Sequence, residues 1–176
     1  MQQKYVIPLS IILGAAIIGF FIYLGLAQQP VPPLSVNSLS ESSDRKIATC
    51  GASSNTIVTK VIDGDTLVVA GGEHVRLLGI DADEKGAPCY DASKYRLEAL
   101  VLNKQISLEK DITDVDQYGR CLRAVFLGEE NIGLQLVKEG VAVARFYPPD
   151  VKYREQISLA EQSAMQNKTG CKWQGL

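Results

Sequence analysis

Histidine and tryptophan are almost missing from this 176-residue chain, which has one of each. The lone His74 follows Gly71-Gly72-Glu73 in a predicted turn and is assigned no catalytic role. Chemistry is therefore left to carboxylates, guanidiniums and hydroxyls. An excess of positive charge is also missing, since 18 Lys and Arg stand against 20 Asp and Glu. Such a chain is repelled at long range by a polyanion unless its basic residues are grouped, which argues against a general nucleic-acid coat protein. It is compatible with an enzyme that neutralises its own carboxylates by binding a divalent cation. The four cysteines include no C-x-x-C pair, which argues against a zinc site. No internal repeat is found.

Charge is wholly absent from Tyr5 to Ala27, a stretch dominated by Ile, Leu, Val, Ala, Phe and Gly. As a helix it would reach about 35 Å, enough for a bilayer core of about 30 Å. A cleaved secretory signal is the alternative, with Gly25 and Ala27 as small residues near the cut. The apolar region of a signal is usually shorter, about 7–15 residues, so an uncleaved anchor over residues 1–27 is expected. Lys4 places the amino terminus in the cytoplasm by the positive-inside rule. All four cysteines (Cys50, Cys89, Cys121, Cys171) follow the span, where an oxidising compartment would let them pair. Residues 28–49, rich in Pro, Ser and Asn, read as a flexible linker. Residues 50–176 are left as one domain of ordinary size.

Within that domain, Thr56 to Ile62 alternates and is rich in Ile, Val and Thr, as in a strand. Asp63-Gly64 is a turn signal, Thr66 to Ala70 a second strand, and Val75 to Ile80 a third. A helix is expected from about Asp91 to Leu102, with Asp91 as its cap and Tyr95, Ala99 and Leu102 on one face. Gln105 to Lys110 and Leu122 to Leu127 complete five strands. Asn131 caps a short helix closing at Gly140, and Pro148-Pro149-Asp150 launches a last one through about Gln166, ended by Gly170. The order is that of an α+β domain: a five-stranded OB-fold β-barrel with three helices, preceded by one transmembrane helix and a flexible linker. Barrels of this kind often serve as nucleic-acid platforms, though fold alone does not establish function.

Three motifs carry the chemistry: Val61-Ile62-Asp63-Gly64-Asp65-Thr66, then Arg76-Leu77-Leu78-Gly79-Ile80-Asp81-Ala82-Asp83-Glu84, then Asp116-Gln117-Tyr118-Gly119-Arg120. Singly, each has a bland explanation as a turn, a surface strand or a solvated acidic loop. Jointly they supply carboxylates for a hard cation, a spare carboxylate for water and two guanidiniums for a phosphate. Hydrolysis of a phosphodiester needs that inventory. One geometric condition follows. Arg76 and Asp81 differ by an odd number of positions and would face opposite sides of a regular strand. Both reach one site only if the strand breaks, and Gly79 is the candidate for that break.

In the same order, these motifs resemble those of the staphylococcal nuclease (thermonuclease) family, over roughly Ser54 to Trp173. The resemblance implies that Asp65 and Asp81, with the backbone carbonyl of Ala82, would hold a calcium ion. It implies that Glu84 would handle the attacking water and that Arg76 and Arg120 would clamp the phosphate. Tyr118 could pack on a nucleotide, with Phe146 and Tyr147 as candidates for stacking on a base, or equally as core aromatics. Three departures stand out. The family usually has Thr at Ala82, commonly Pro at Asp83, and a phosphate-holding lysine at Gln117.

A shared site would bring the segments around Cys89 and Cys121 together, so Cys89–Cys121 and Cys50–Cys171 are the preferred pairs among three possible pairings. The expected protein is a monomeric, membrane-anchored, extracytoplasmic, calcium-dependent endonuclease acting on DNA and RNA with little sequence preference, leaving 3′-phosphates. Secretion after cleavage near Ala27 is the alternative location. A non-catalytic OB-fold module that binds single-stranded nucleic acid or a protein is the alternative function.

Overall fold

The structure, a computed structural model, describes residues 49–174. The expected membrane span and nearly all of the linker lie outside the described residues. No helix among the described residues is long and apolar enough to cross a membrane.

Strand β1 (Asn55–Val61) buries Thr56 and Val58 by simple alternation, and then the alternation breaks. Val58 pairs with Val69 but Lys60 pairs with Val68, so β1 carries one extra residue there. This bulge turns Val61 inward and leaves Lys60 in solvent. Strands β2 (Thr66–Val69) and β3 (His74–Leu77) continue the meander antiparallel. Gly71 and Gly72 form its second turn at φ 100° and 90°, a region that L side chains avoid.

The expected third strand, Val75 to Ile80, is two strands. Gly79 takes φ 82° and separates β3 from a two-residue β4 (Ile80–Asp81). The required break is therefore real, and it re-aims Asp81.

Strands β5 (Gln105–Glu109) and β6 (Cys121–Leu127) pair antiparallel, and β5 also pairs with β1. The ring closes where β3 runs parallel to β6, with Val75 opposite Cys121 and Arg76 opposite Leu122. The result is a closed five-stranded barrel of β1, β2, β3, β5 and β6. A short β7 (Glu130–Asn131) folds back on β6, and β8 (Val143–Ala144) pairs with β4. Val58, Leu67, Val69, Val75, Ile106 and Val125 fill the interior. Each such side chain contributes about 1.5–3 kcal/mol by leaving water.

Four helices among the described residues decorate the barrel. Helix α1 (Tyr90–Val101) begins one residue earlier than expected, capped at Cys89 without a side-chain bond, so Asp91 lies inside the first turn. Its buried face is Ser93, Leu97 and Val101, while Tyr95 and Ala99 are exposed. The inward stripe is thus rotated from the expected one, because a small serine lets α1 lie close to the sheet. Helix α2 (Ile132–Lys138) is capped as expected, with Asn131 Oδ1 accepting from Leu134 N at 3.0 Å.

Gly140, at φ 63°, then lets the backbone of Thr169 pass; a Cβ there would lie 1.8 Å from the Thr169 oxygen. The last long helix, α3 (Arg154–Gln166), starts later than the Pro148-Pro149 signal. The buried Asp150 instead accepts hydrogen bonds from Ile112 N (2.9 Å) and Thr113 N (2.8 Å), pinning the β5–β6 loop. Gly170 does not end α3; it opens a short α4 (Gly170–Trp173).

The cysteines pair differently from expectation: Cys50 with Cys121 and Cys89 with Cys171. Cys121, the first residue of β6, is fully buried and meets Cys50 there rather than Cys89. Asp114 brings Cys50 to it, accepting from Cys50 N at 2.9 Å and from Arg123 Nη2 at 2.7 Å. Asp83 gathers the other pair, accepting from Cys89 N at 2.9 Å while also binding Lys172. Non-reducing peptide mapping is expected to recover these two links. Recovery of Cys89–Cys121 would contradict the fold. Cys50→Ala opens a loop of 71 residues and should lower unfolding stability by about 2–4 kcal/mol in a denaturant titration.

Candidate active site

The first hairpin positions Asp65. Asp63 Oδ1 accepts from Asp65 N at 3.1 Å and Ile62 N donates to Thr66 O at 2.9 Å, so the chain turns tightly before β2. Asp65 thereby enters the barrel wall and is only 7% exposed. Its Oδ2 accepts from Ala82 N at 2.8 Å and its Oδ1 from Thr66 Oγ1 at 3.0 Å. Burial pushes the Asp65 carboxyl up to about 6, against the pull of Arg76 and the Ala82 amide.

Arg76 lies across the ladder from Thr66, one residue beyond Asp65. Its Nη1 donates to Leu77 O (2.8 Å) and to Ile80 O (3.0 Å). Its Nη2 reaches Asp81 Oδ1 at 3.0 Å and Asp65 Oδ2 at 3.1 Å. One guanidinium nitrogen thus lies between two carboxylates, one from the turn before β2 and one from β4, and the bond to Ile80 O secures the chain just past the Gly79 break.

Arg120 enters from the turn that feeds β6. Because Arg76 is opposite Leu122 in the closing ladder, the turn before β6 lies beside β3. Asp116 Oδ2 accepts from Arg120 Nε at 2.7 Å, and its Oδ1 accepts from Tyr118 N (2.9 Å) and Arg120 N (3.0 Å). Burial raises the Asp116 carboxyl, but these donors outweigh it and hold the group below the usual carboxylate range. The Tyr118 ring lies 5.4 Å from the Arg120 guanidinium carbon.

These groups line one cleft of about 520 Å³, shared by Asp65, Arg76, Asp81, Glu84, Tyr118, Arg120 and Tyr147. The five charged residues given roles from sequence, Asp65, Arg76, Asp81, Glu84 and Arg120, therefore line the same cleft. Glu84 is exposed on its rim. Ala82 is not on the cleft wall, but adjoins Asp81 and ties to Asp65 through its amide. Phe146 does not reach the cleft; it packs on the core beside Gly79, with Arg154 over its ring at 5.3 Å. The two aromatics diverge because neighbours in an extended segment face opposite sides. Tyr147 is 67% exposed in the cleft and Tyr118 75%.

Asp83 is not a spare carboxylate at the site, since Lys172 and Cys89 N occupy it. Burial raises its carboxyl, and the Lys172 and Cys89 bonds more than offset that. Four charged residues on the cleft wall escaped sequence reasoning as site members: Asp63, Asp116, Arg145 and Asp150. Asp116 was visible, since it opens the turn motif with Arg120. Arg145 lies in an apolar run with no signal of its own.

Among the described residues no three His, Cys, Asp or Glu side chains converge into a ready-made cation cage. Asp65 and Asp81 nonetheless both lie within 3.1 Å of one cationic nitrogen. The donors on offer are oxygens only, two carboxylates and nearby backbone carbonyls, and they fit a hard divalent ion that fills its remaining positions with water or substrate oxygens. Asp65, being buried, has the most to gain from such an ion.

The chain matches the family model described as "Staphylococcal nuclease homologue" over residues 74–174. It is 38% identical over 121 residues to the thermonuclease of Staphylococcus intermedius, covering 64% of this chain and 72% of that protein. It is 36% identical over 146 residues to the thermonuclease of Staphylococcus hyicus, covering 77% and 86%. Endonuclease YncB of Bacillus subtilis (strain 168) is 39% identical over 126 residues, covering 65% and 59%. Asp65 precedes the residues matched by the family model, so its membership of the site rests on its contacts with Arg76 and Ala82.

A stability measurement tests the Asp65 environment. In the folded protein Asp65 keeps its proton up to pH about 6, whereas the unfolded chain releases it near 4. Its contribution to stability therefore falls as pH rises from about 4 to 6 and is level above that. Asp65→Asn removes this dependence. In chelator, the melting temperature of the variant minus that of the wild type should climb across that window, by up to about 3 kcal/mol in free energy. A difference that stays level from pH 4 to 7 would mean that Asp65 titrates as it does in water.

Proposed function

We propose, for a chain that belongs to the family of staphylococcal nuclease homologues, that this nuclease is a calcium-dependent endonuclease cleaving DNA and RNA with little sequence preference. That it is a nuclease follows from the family. Calcium, the substrate range and the roles of individual residues are the proposal. One observation carries it: Asp65, Arg76, Asp81, Glu84 and Arg120, drawn from four separate stretches of chain, meet in one cleft. A barrel that only bound nucleic acid or protein would leave that convergence without a reason.

Asp65 and Asp81, with the Ala82 carbonyl, would hold calcium, which when bound supplies a Lewis acid for a phosphate oxygen and a template for substrate. Arg120 turns its guanidinium into the cleft from a base fixed by Asp116, so its remaining N–H groups are presented in one orientation to phosphate oxygens. Arg76, on the neighbouring strand β3, is held by Asp65 and Asp81, and would turn its Nη2 to the phosphate once a cation takes those two carboxylates. Together they balance the charge that grows on the phosphorus oxygens as water attacks. Glu84, exposed on the rim, orients that water and takes its proton. Departure of the 5′-oxygen leaves a 3′-phosphate. Tyr118 and Tyr147 offer exposed rings to the flanking bases, a contact indifferent to sequence.

Two disulfides, with all four cysteines paired, support an oxidising location for the domain. We place the domain outside the cytoplasm, tethered by residues 5–27 and working as a monomer.

Hydrolysis of plasmid and RNA should need calcium and stop in chelator. Glu84→Gln should keep the fold and calcium binding while lowering kcat by about 10²–10⁴-fold. Arg120→Lys keeps the charge but loses the fork, and should cost on the order of 10²–10³. Robust wild-type activity unchanged by both substitutions would disprove these assignments. Calcium must find Asp65 deprotonated, and its carboxyl titrates at about 6. Calorimetric calcium affinity should then be about tenfold weaker at pH 5 than at pH 7. Equal affinities would remove Asp65 from the ligand set.

A further inference from the structure

We propose that Arg145 is a substrate-binding residue that takes a backbone phosphate next to the one being cleaved, so that the enzyme prefers strands over isolated phosphodiesters. The inference rests on the nuclease reading above and adds to it a contact with the substrate.

Three guanidiniums line the cleft, and their engagement differs. Arg76 has carboxylates and carbonyls on both terminal nitrogens, and its side chain is 14% exposed. Arg120 is anchored through Nε to Asp116 and is 31% exposed. Arg145 is 55% exposed, and among the described residues its one ionic neighbour is Asp81 Oδ2, at 3.9 Å from Nε. That separation is too long for a hydrogen bond, so the donors of Arg145 remain available.

Its backbone is held firmly. Arg145 N donates to Gly79 O at 2.9 Å, and the preceding Ala144 N donates to Glu161 Oε1 at 2.8 Å. Strand β8 is thereby fixed between β4 and helix α3, so Arg145 is an exposed cationic head on a fixed root.

Its position selects the ligand. Asp81 meets Arg76 through Oδ1 and Arg145 through Oδ2, so the two arginines attend different oxygens of one carboxylate. With Arg76 and Arg120 on the reacting phosphate, Arg145 is left for the next group along the chain. Tyr147, two residues further on and largely exposed in the same cleft, stands ready for the attached base. The cleft also carries Asp63, Asp65, Asp81, Glu84, Asp116 and Asp150, so an anion enters it only where a cation meets it. A structural role, shielding Asp81, is the competing explanation, and it makes a different prediction.

Arg145→Ala is compared with wild type and Arg145→Lys, using a fluorescein-labelled single-stranded 12-nucleotide DNA. In calcium-saturated kinetics, Arg145→Ala should raise KM about tenfold, the worth of one charge-assisted contact, with kcat within about twofold. In chelator, anisotropy titrations over a range of KCl should show the slope of log affinity against log salt reduced by about 0.7, one phosphate on a single strand. Arg145→Lys should restore the slope. Cleavage of thymidine 5′-(p-nitrophenyl phosphate), which has no second phosphate, should be indifferent to the change. An unchanged KM and slope would overturn the proposal, as would a weaker calcium affinity that accounts for the whole effect. Failure of the wild type to cleave either substrate would overturn the nuclease reading and this inference with it.

Discussion

Strands β3 and β6 start 47 residues apart in the chain, and the site depends on their pairing. A parallel contact between them closes the barrel and sets Arg76 opposite Leu122. The turn from Asp116 to Arg120, which feeds β6, then has to stand beside β3. Everything else follows from that seam. Asp65 arrives because β2 is the other neighbour of β3, and Asp81 arrives because β3 breaks four residues earlier. The charged groups meet because a barrel has no free edge on which they could be kept apart.

Closing the seam brings like charges together, and the molecule handles this with arginine. Arg76 holds Asp65 and Asp81 on a single nitrogen while its other nitrogen satisfies two carbonyls. Arg123, buried under the rim, does the same for Asp114 and for the Asp114 carbonyl. Other carboxylates serve as backbone acceptors: Asp116 fixes its own turn, Asp150 the β5–β6 loop and Asp83 the start of α1. This explains how an acidic domain can carry a cleft lined by three guanidiniums. Many of its carboxylates are already spent inside the fold, so the global count overstates the repulsion that a phosphate meets at the site.

The same economy ties the active-site loop to the end of the chain. Asp83 holds Lys172 and the Cys89 amide, and Cys89 is joined to Cys171. On either side of Asp83 stand Ala82 and Glu84, the first bonded to Asp65 and the second exposed on the rim. Glu84 therefore projects from a loop whose roots are fixed on both sides, which limits how far its carboxylate can wander from the cleft.

The five barrel strands and the Asn131 cap were legible in the sequence, because each follows from local pattern or turn chemistry; the five charged residues that share the cleft were picked out by their motifs and the family these resemble. Alternation marks a strand wherever one face is buried, and Gly79 announced the break that Arg76 and Asp81 require. Tertiary structure decided the rest. The β1 bulge that exposes Lys60, the rotation of α1 onto Ser93, Leu97 and Val101, and the late start of α3 answer to packing against distant segments. The disulfides were misread for the same reason: sharing a site says where Arg120 points, whereas Cys121, the first residue of β6, is buried and meets Cys50. Arg145 was invisible because its place beside Asp81 comes from the β4–β8 pairing, a contact between residues more than sixty positions apart. Local sequence chooses which side chains a segment carries; long-range pairing chooses what each of them faces.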